Sequence, residues 1–198
     1  MNEKSSDTQD SQVWFSSLID DSAGVITQLK NQIPTIQQVA ETISDALLSG
    51  HKLLTAGNGG SAAEALHLAE ELVGRYSRPD RRALPAICLA ADATTITCIA
   101  NDWDFSSVFF RQVEALAAPD DILVVFSTSG NSENLIRACI AMRRLGGKTI
   151  GILGRGGGRN LAQCDFSVVV PSSRTAAIQE AQQVVVHLIL EHVERVCP

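Results

Sequence analysis

Aromatic residues are scarce in this chain, and the features that would place it in a membrane are missing. Only 5% of the 198 residues are Phe, Trp or Tyr, so the core must consist mainly of Ala, Val, Ile and Leu. No apolar run reaches the roughly 18 residues that a membrane-spanning helix needs. The N-terminus is polar and acidic, unlike a signal peptide. These absences predict a globular cytoplasmic protein with no membrane partner.

The chain also lacks a basic stripe and a cysteine motif. Its formal net charge is −6, which disfavours direct binding of nucleic acid, although backbone N–H groups can still hold a phosphate locally. The five cysteines are scattered, odd in number and without CxxC spacing. A disulfide framework and a cysteine-type zinc site are therefore both disfavoured, and a reducing compartment fits.

What the chain does contain is helical periodicity at the start, followed by short apolar strands that alternate with helices. Residues 11–32 and 35–49 are predicted helices, 175–196 a long final helix, and residues 1–10 are expected to be frayed. Five apolar runs are predicted strands: 52–56, 83–90, 121–127, 148–153 and 165–170. Such an alternation indicates a parallel sheet covered on both faces, so the predicted fold class is a three-layer α/β domain.

Two loops rich in Gly, Ser and Asn follow the first and third predicted strands. These loops, residues 57–61 and 127–132, each open a helix whose first N–H groups favour a phosphate. Neither contains GK[ST] or GxGxxG, so a phosphorylated small molecule is favoured over a nucleotide. The same residues also mark ordinary turns and helix caps, which is the preferred explanation for either loop alone. Residues 154–159 are expected to be a flexible crossover loop.

Two helices carry titratable side chains that could act on a bound ligand. His67 and Glu71 share one helix face about 6 Å apart, where they could bind a metal or act as acid and base. His187 lies in an apolar run of the final helix and is its best catalytic candidate. An exposed His–Glu pair and a buried, hydrogen-bonded histidine are the alternatives. Glu64 and Glu70 are expected to be solvated.

The order of these residues resembles that of a known family. Gly57-Asn58-Gly59-Gly60-Ser61 and His67-Leu68-Ala69-Glu70-Glu71-Leu72 are similar to segments of the phosphoheptose (sedoheptulose-7-phosphate) isomerases, which belong to the SIS (sugar isomerase) domain superfamily. The match continues in the same order, over about residues 15–195, through Gly74-Arg75-Tyr76, Asn101-Asp102, the 127–132 loop, Ile178-Gln179-Glu180 and His187.

The resemblance implies a flavodoxin-like SIS fold with a five-stranded parallel sheet, as a single domain over residues 1–198. Helices within about residues 11–50 would serve oligomerisation, and residues 51–198 would form the α/β core. The family forms homotetramers with active sites between subunits. The implied reaction is isomerisation of sedoheptulose 7-phosphate to D-glycero-D-manno-heptose 7-phosphate through an enediol, feeding heptose and lipopolysaccharide biosynthesis.

The resemblance also implies roles for individual residues. Glu71 would move the proton between C1 and C2, and His187 would be the partner acid and base. One zinc ion per subunit would bind His67, Glu71, Gln179 and His187. Because a ligated carboxylate is a poorer base, Glu71 cannot fully serve both roles at once. The substrate would be held by Asn58, Gly59, Gly60, Ser61, Arg75, Asp102, Ser127, Thr128, Ser129, Ser132 and Gln179.

A non-catalytic binding module is the alternative function. A close SIS relative associates with the replication initiator DnaA and lacks a histidine at the position that matches His187. This chain keeps Gly60, Glu71 and His187, which favours the enzyme; an isomerase for another phosphosugar is a third possibility. The chain departs from the family's usual residues after the first loop and on the final helix, at Ala62, Ala63, Glu64, Ala176 or Ala177, and Gln182 or Gln183.

Overall fold

A computed structural model describes residues 3–197 and places one parallel sheet between two layers of helices. The strands are β1 (Leu53–Gly57), β2 (Ala86–Cys88), β3 (Ile122–Ser127), β4 (Lys148–Leu153) and β5 (Phe166–Val169). They pair in the order β2-β1-β3-β4-β5, and every pair is parallel. This is the flavodoxin-like strand order, and it confirms the predicted α/β fold with five strands.

Helices cover both faces of the sheet. Those of the described residues are α1 (Glu3–Gln28), α2 (Ile33–Leu48), α3 (Gly60–Val73), α4 (Ala93–Asp102), α5 (Phe110–Leu116), α6 (Glu133–Arg144) and α7 (Thr175–Val196). Helices α1, α2, α3 and α7 share one core with the sheet, and α4, α5 and α6 share the other. Across residues 3–197, no helix combines the length and the apolar character needed to cross a membrane.

The central strands contribute side chains to both cores. In β3, Ile122, Val124 and Phe126 face α3 and α7, whereas Leu123 and Val125 face the opposite layer. Each of the five is at most 1% exposed, and burying such a side chain contributes roughly 1.5–3 kcal/mol. A strand that is buried on both faces is a continuous apolar run, which is why the sequence predicts it well. The sheet therefore holds the loops at its carboxyl edge on a rigid base.

The N-terminal helices differ from prediction at their ends. Helix α1 begins at Glu3, inside the segment expected to be frayed, because neither Pro nor Gly occurs before Gly24 to interrupt it; residues 1–2 lie outside the described part. It ends at Gln28, and a 3₁₀ turn (Leu29–Gln32) leads into α2, which has Pro34 in its first turn.

Candidate active site

The two glycine-rich loops lie side by side at the carboxyl edge of the sheet. Residues 57–61 follow β1 and residues 127–132 follow β3, and these two strands are neighbours. In this strand order they flank the switch point, where ligands of doubly wound sheets bind. A reciprocal amide pair joins the first loop to the start of α6, the helix after the second loop, since Asn58 Nδ2 donates to Asn134 Oδ1 (3.0 Å) and Asn134 Nδ2 donates to Asn58 Oδ1 (2.9 Å). The Asn58 amide therefore ties the first loop to the helix that the second loop opens.

Three hydroxyl groups of the two loops are open in the sense that no described protein group is hydrogen-bonded to them, although Ser61 itself is only 3% exposed. Ser61, Thr128 and Ser132 make no side-chain hydrogen bond to any residue between 3 and 197. Ser132 occupies the N-cap position of α6, but its hydroxyl does not cap the helix. The other two hydroxyls are used within the loop, where Ser127 Oγ accepts from Gly130 N (3.0 Å) and Ser129 Oγ accepts from Asn131 N (3.2 Å). Open hydroxyls beside two helix N-termini are a suitable environment for a phosphate.

Imidazole and carboxylate groups of α3 and α7 form one cluster. His67 Nε2 lies 3.4 Å from Glu71 Oε1, and the ring centroids of His67 and His187 are 5.4 Å apart. Gln183 Nε2 lies 2.6 Å from His67 Nδ1 and 3.1 Å from His187 Nε2. The structure thus brings together His67, Glu71 and His187. It adds Gln183, one of the positions at which the sequence departs from the family's usual residues.

This hydrogen-bond network assigns the imidazole protons. The Gln183 amide nitrogen donates one hydrogen to each ring, so His67 Nδ1 and His187 Nε2 are acceptors. The proton of His67 then lies on Nε2 and points to Glu71 Oε1. In this arrangement the Glu71 carboxylate accepts from one imidazole, and the second imidazole lies beside the first. Such a set can accept a proton at one position and return it at another.

Gln179 lies at the other end of α3 from Glu71. A Cβ atom added to Gly60 would be 2.2 Å from Gln179 Nε2, so the absence of a side chain at Gly60 is what lets the amide approach. His67 is seven residues further along α3, about 10 Å at the helical rise. Gln179 therefore contacts the start of α3, whereas Gln183, one turn later on α7, lies between the imidazoles.

Two predicted substrate residues are not brought to this cluster within one chain. Arg75 and Asp102 are exposed, and neither forms a hydrogen bond or ion pair with His67, Glu71 or His187. The Asp102 carboxylate accepts instead from the Asn101 amide at 2.9 Å. Tyr76, next to Arg75, does reach the cluster, with its ring centroid 6.0 Å from that of His187.

The expectation that Glu64 is solvated is wrong. Its side chain is on the part of α3 that is covered by the sheet and by α7, and the residue is only 7% exposed. Glu64 Oε2 has no hydrogen-bond partner among the described residues, and burial raises the pKa of this carboxyl to about 8. Glu70 on the outer face of α3 is exposed, as expected.

We expect Glu64 to make the stability of the protein fall as pH rises. The pKa of the folded carboxyl, about 8, is above the ordinary value of 4.5, so the folded state binds an extra proton between these values. Its contribution is fully present below about pH 4.5 and is lost as pH rises through about 8. Glutamine does not titrate. The melting temperature of Glu64→Gln should therefore rise relative to that of the wild type as the pH is raised from about 5 to about 8. Glu70→Gln is the exposed control; an equal change in both variants would contradict the prediction.

Comparison with known proteins identifies the family. The SIS domain model matches residues 18–154. A phosphoheptose isomerase of Geotalea daltonii is 46% identical over 162 residues, covering 82% of this chain and 84% of the relative. The chain belongs to the phosphoheptose isomerases, within the SIS domain family. This confirms the resemblance seen in the sequence.

Solved phosphoheptose isomerases have the same fold over nearly the whole chain. The structure from Francisella tularensis superposes with a TM-score of 0.90 at 34% identity, covering 93% of this chain and 98% of that one. The GmhA structure from Neisseria gonorrhoeae gives a TM-score of 0.88 at 34% identity, covering 93% and 99%. The SIS model ends before α7, which carries Gln179, Gln183 and His187. The similarity to phosphoheptose isomerases therefore extends well beyond the SIS match.

Proposed function

We propose that this phosphoheptose isomerase converts sedoheptulose 7-phosphate into D-glycero-D-manno-heptose 7-phosphate. The observation that carries the proposal is the cluster of Glu71, His67 and His187 on α3 and α7, because α3 begins at the first of two adjacent loops with hydroxyls unpaired among residues 3–197. The loops supply an anion site, and the cluster supplies a base and an acid. The binding-module alternative is not favoured, because the relatives are named as isomerases and His187 is present.

The reaction moves one proton between two carbons and one between two oxygens. Ser61 and the 127–132 loop hold the phosphate. The Glu71 carboxylate takes a proton from C1 of the ketose while His187 donates a proton to the oxygen on C2, which gives the enediol. Glu71 then returns its proton to C2, and His187 recovers a proton from the oxygen on C1. Both groups end as they began, so no redox partner is needed.

Incubation of the purified protein with sedoheptulose 7-phosphate in D₂O tests the proposed reaction. NMR should show the aldoheptose phosphate with deuterium at C2, because the carbon-bound proton passes through an exchangeable carboxyl group. A protein that binds the ketose phosphate but forms neither the aldose nor a deuterated sugar would instead be a binding module. If the protein turns over only a different ketose phosphate, the proposed isomerisation chemistry stands and the proposed substrate is wrong.

We further propose that one zinc ion per subunit binds His67, Glu71, Gln179 and His187. Imidazole and carboxylate are suitable zinc ligands, and His67, Glu70 and Glu71 offer ligand atoms within 4.8 Å of one another. A zinc ion at this site supplies Lewis-acid polarisation of the substrate carbonyl. The Gln183 amide occupies His187 Nε2, and the Gln179 amide lies at Gly60, about 10 Å along α3 from His67. Zinc ligation by all four residues therefore requires both amides to move. With zinc bound, Glu71 would be a weaker base than in the metal-free cluster.

Metal analysis tests the zinc proposal without reference to activity. We expect about one zinc per chain in the wild type, a melting temperature that falls after dialysis against a chelator, and recovery on adding zinc. His67→Ala should bind little zinc, and its melting temperature should not respond to the chelator. Wild-type protein that is zinc-free and unaffected by added zinc would refute the site.

A homotetramer built through the N-terminal helices is a further part of the proposal. Helix α1 exposes a run of large apolar side chains, with Val13 66%, Trp14 56%, Phe15 57% and Ile19 68% exposed. Such a patch is typical of an interaction surface. In the tetramer, Arg75 and Asp102 would contribute to an active site shared between subunits. Light scattering should give four chains for the wild type and a smaller assembly for Ile19→Asp.

We also propose that the enzyme works in the cytoplasm, in heptose or lipopolysaccharide biosynthesis. The cysteines Cys88, Cys98, Cys139, Cys164 and Cys197 are all free thiols, which suits a reducing compartment. The product carries a phosphate on C7 and a free aldehyde carbon. Both features suit later enzymes that activate the sugar at C1 for transfer.

A further inference from the structure

The glycine segment, which we define as Arg155–Gln163, is not the free crossover loop expected from the sequence. It follows β4, forms 3₁₀-type turns and lies against the 127–132 loop. Asn160 N donates to Gly130 O at 2.7 Å, and Arg159 N donates to Asn131 Oδ1 at 3.0 Å. Two backbone groups of the glycine segment are thus bonded to the loop proposed to hold the phosphate.

The two backbones are too close for any side chain to fit between them. A Cβ atom on Gly158 would lie 2.7 Å from Gly130 O and 2.8 Å from Asn131 Oδ1. In the other direction, a Cβ atom on Gly130 would lie 2.1 Å from Gly157 O. Gly156, Gly157 and Gly158 all have positive φ, which favours glycine. The contact therefore requires glycine on both sides.

The other end of the glycine segment is bonded to the start of α7. Arg155 Nε donates to Ser173 O at 3.1 Å, and Arg155 Nη2 donates to Thr175 Oγ1 at 3.0 Å. Thr175 is the first residue of α7, and Gln179 is one turn further on. Asn160 in the middle of the segment is wholly buried. The glycine segment thus connects the phosphate loop to the helix that carries His187.

We propose that the glycine segment positions the phosphate loop, with Gly157, Gly158 and Asn160 as positioning residues. An anion bound by backbone N–H groups is held tightly only if those groups already converge before it arrives. The loop's own bonds, from Gly130 N to Ser127 Oγ and from Asn131 N to Ser129 Oγ, are local. The glycine segment adds the contacts that hold the loop from outside. This inference rests on the proposed phosphate site.

Two alanine substitutions in the same turn separate this role from general backbone strain. Gly158→Ala places a methyl group against Gly130 O, whereas a Cβ on Gly156 has no atom within 4 Å. Both positions have positive φ, so both variants should lose melting temperature, and Gly158→Ala should lose more because its ψ of −149° is the less tolerant of a side chain. Only Gly158→Ala should raise KM for sedoheptulose 7-phosphate and the inhibition constant of inorganic phosphate. The expected rise is about tenfold or more, the loss of one hydrogen bond to a charged group. Turnover at saturation should stay within about threefold of Gly156→Ala, because the proposed general acid–base groups lie outside the loop.

The proposal would be overturned if the two variants had equal KM values, or if the activity of Gly158→Ala fell only through kcat. If Gly158→Ala does not fold, Asn131→Ala is the second variant, since it removes the bond from Arg159 N, together with the local bond to Ser129 O, without adding atoms. Asn131→Asp, which keeps the acceptor for Arg159 N and loses only the donor to Ser129 O, is its control: phosphate binding should weaken more in Asn131→Ala, and equal weakening would overturn the proposal. If the wild type does not isomerise the sugar, the proposed reaction fails. Calorimetric titration with inorganic phosphate would still test the positioning role, with weaker binding only in Gly158→Ala supporting it.

Discussion

Glu71→Gln should reduce kcat by about 10²–10⁴-fold, the usual contribution of a general base. The amide keeps the size of the side chain but cannot accept the C1 proton. His67 still has an acceptor in the amide oxygen at this position, so the cluster should keep its shape. The phosphate loops are separate from Glu71, and the Kd for sedoheptulose 7-phosphate should stay within about threefold of the wild type, a small change in free energy. Steady-state turnover and calorimetry measure the two quantities.

Glu114→Gln is the matched control for this prediction. Glu114 is exposed on α5, which packs against the opposite face of the sheet, and the substitution removes the same charge. Its kcat should equal that of the wild type. If Glu71→Gln retains more than about a tenth of wild-type turnover, Glu71 is not the general base.

Glu194→Ala should lower the free energy of unfolding by about 3–5 kcal/mol, because it leaves a buried cation without its partner. Arg81 Nε lies 3.2 Å from Glu194 Oε1, and the two side chains are 1% and 5% exposed. The same carboxylate accepts from the backbone N–H groups of Ser77 and Arg78 and from the Ser77 hydroxyl. Arg81 also donates to the backbone carbonyl of Glu71 at 2.7 Å. Removing its carboxylate partner should therefore also weaken the contacts at the end of α3. Urea denaturation measures the change.

Asp80→Ala is the control, since it breaks the Arg78–Asp80 pair, whose side chains are 41% and 69% exposed. Exposed pairs contribute little, so its unfolding curve should overlie that of the wild type.

Burial alone would raise the pKa of Glu194, but hydrogen bonds from Ser77, Arg78 and Arg81 lower it to about 2. Its stabilisation is therefore present above about pH 4.5 and is lost as pH falls towards 2. The prediction is contradicted if Glu194→Ala lowers the free energy of unfolding by no more than Asp80→Ala does.

The proposed positioning role of the glycine segment changes how the phosphate site should be defined. Ser61 and residues 127–132 carry the donors, but the shape of the second loop depends on Gly157, Gly158 and Asn160, which follow a different strand. Substitutions in that turn should therefore act mainly on affinity for the phosphate group. Substitutions in the cluster of His67, Glu71 and His187 should act mainly on the chemical step.

Most strands and helices, the family and the candidate loops are predictable from patterns along the chain. Strands β3 and β4 were predicted to within a residue because both faces of each are buried, which leaves an uninterrupted apolar run. His67 and Glu71 were placed together because a spacing of four residues puts two side chains on one helix face. The motif order identified the phosphoheptose isomerases, and the comparisons confirm that identification. The assigned roles of individual site residues stay predictions.

Contacts between elements that are distant in the chain follow from packing and could not be predicted from local patterns. Gln183 contacts His67 across 116 positions, and Asn58 pairs with Asn134 across 76, so no local pattern could reveal either contact. Glu64 is buried because the sheet and α7 cover α3. The glycine segment is held by hydrogen bonds to the loop that follows β3. Local periodicity records which side of an element is apolar. Which polar side chains meet depends on how the elements pack.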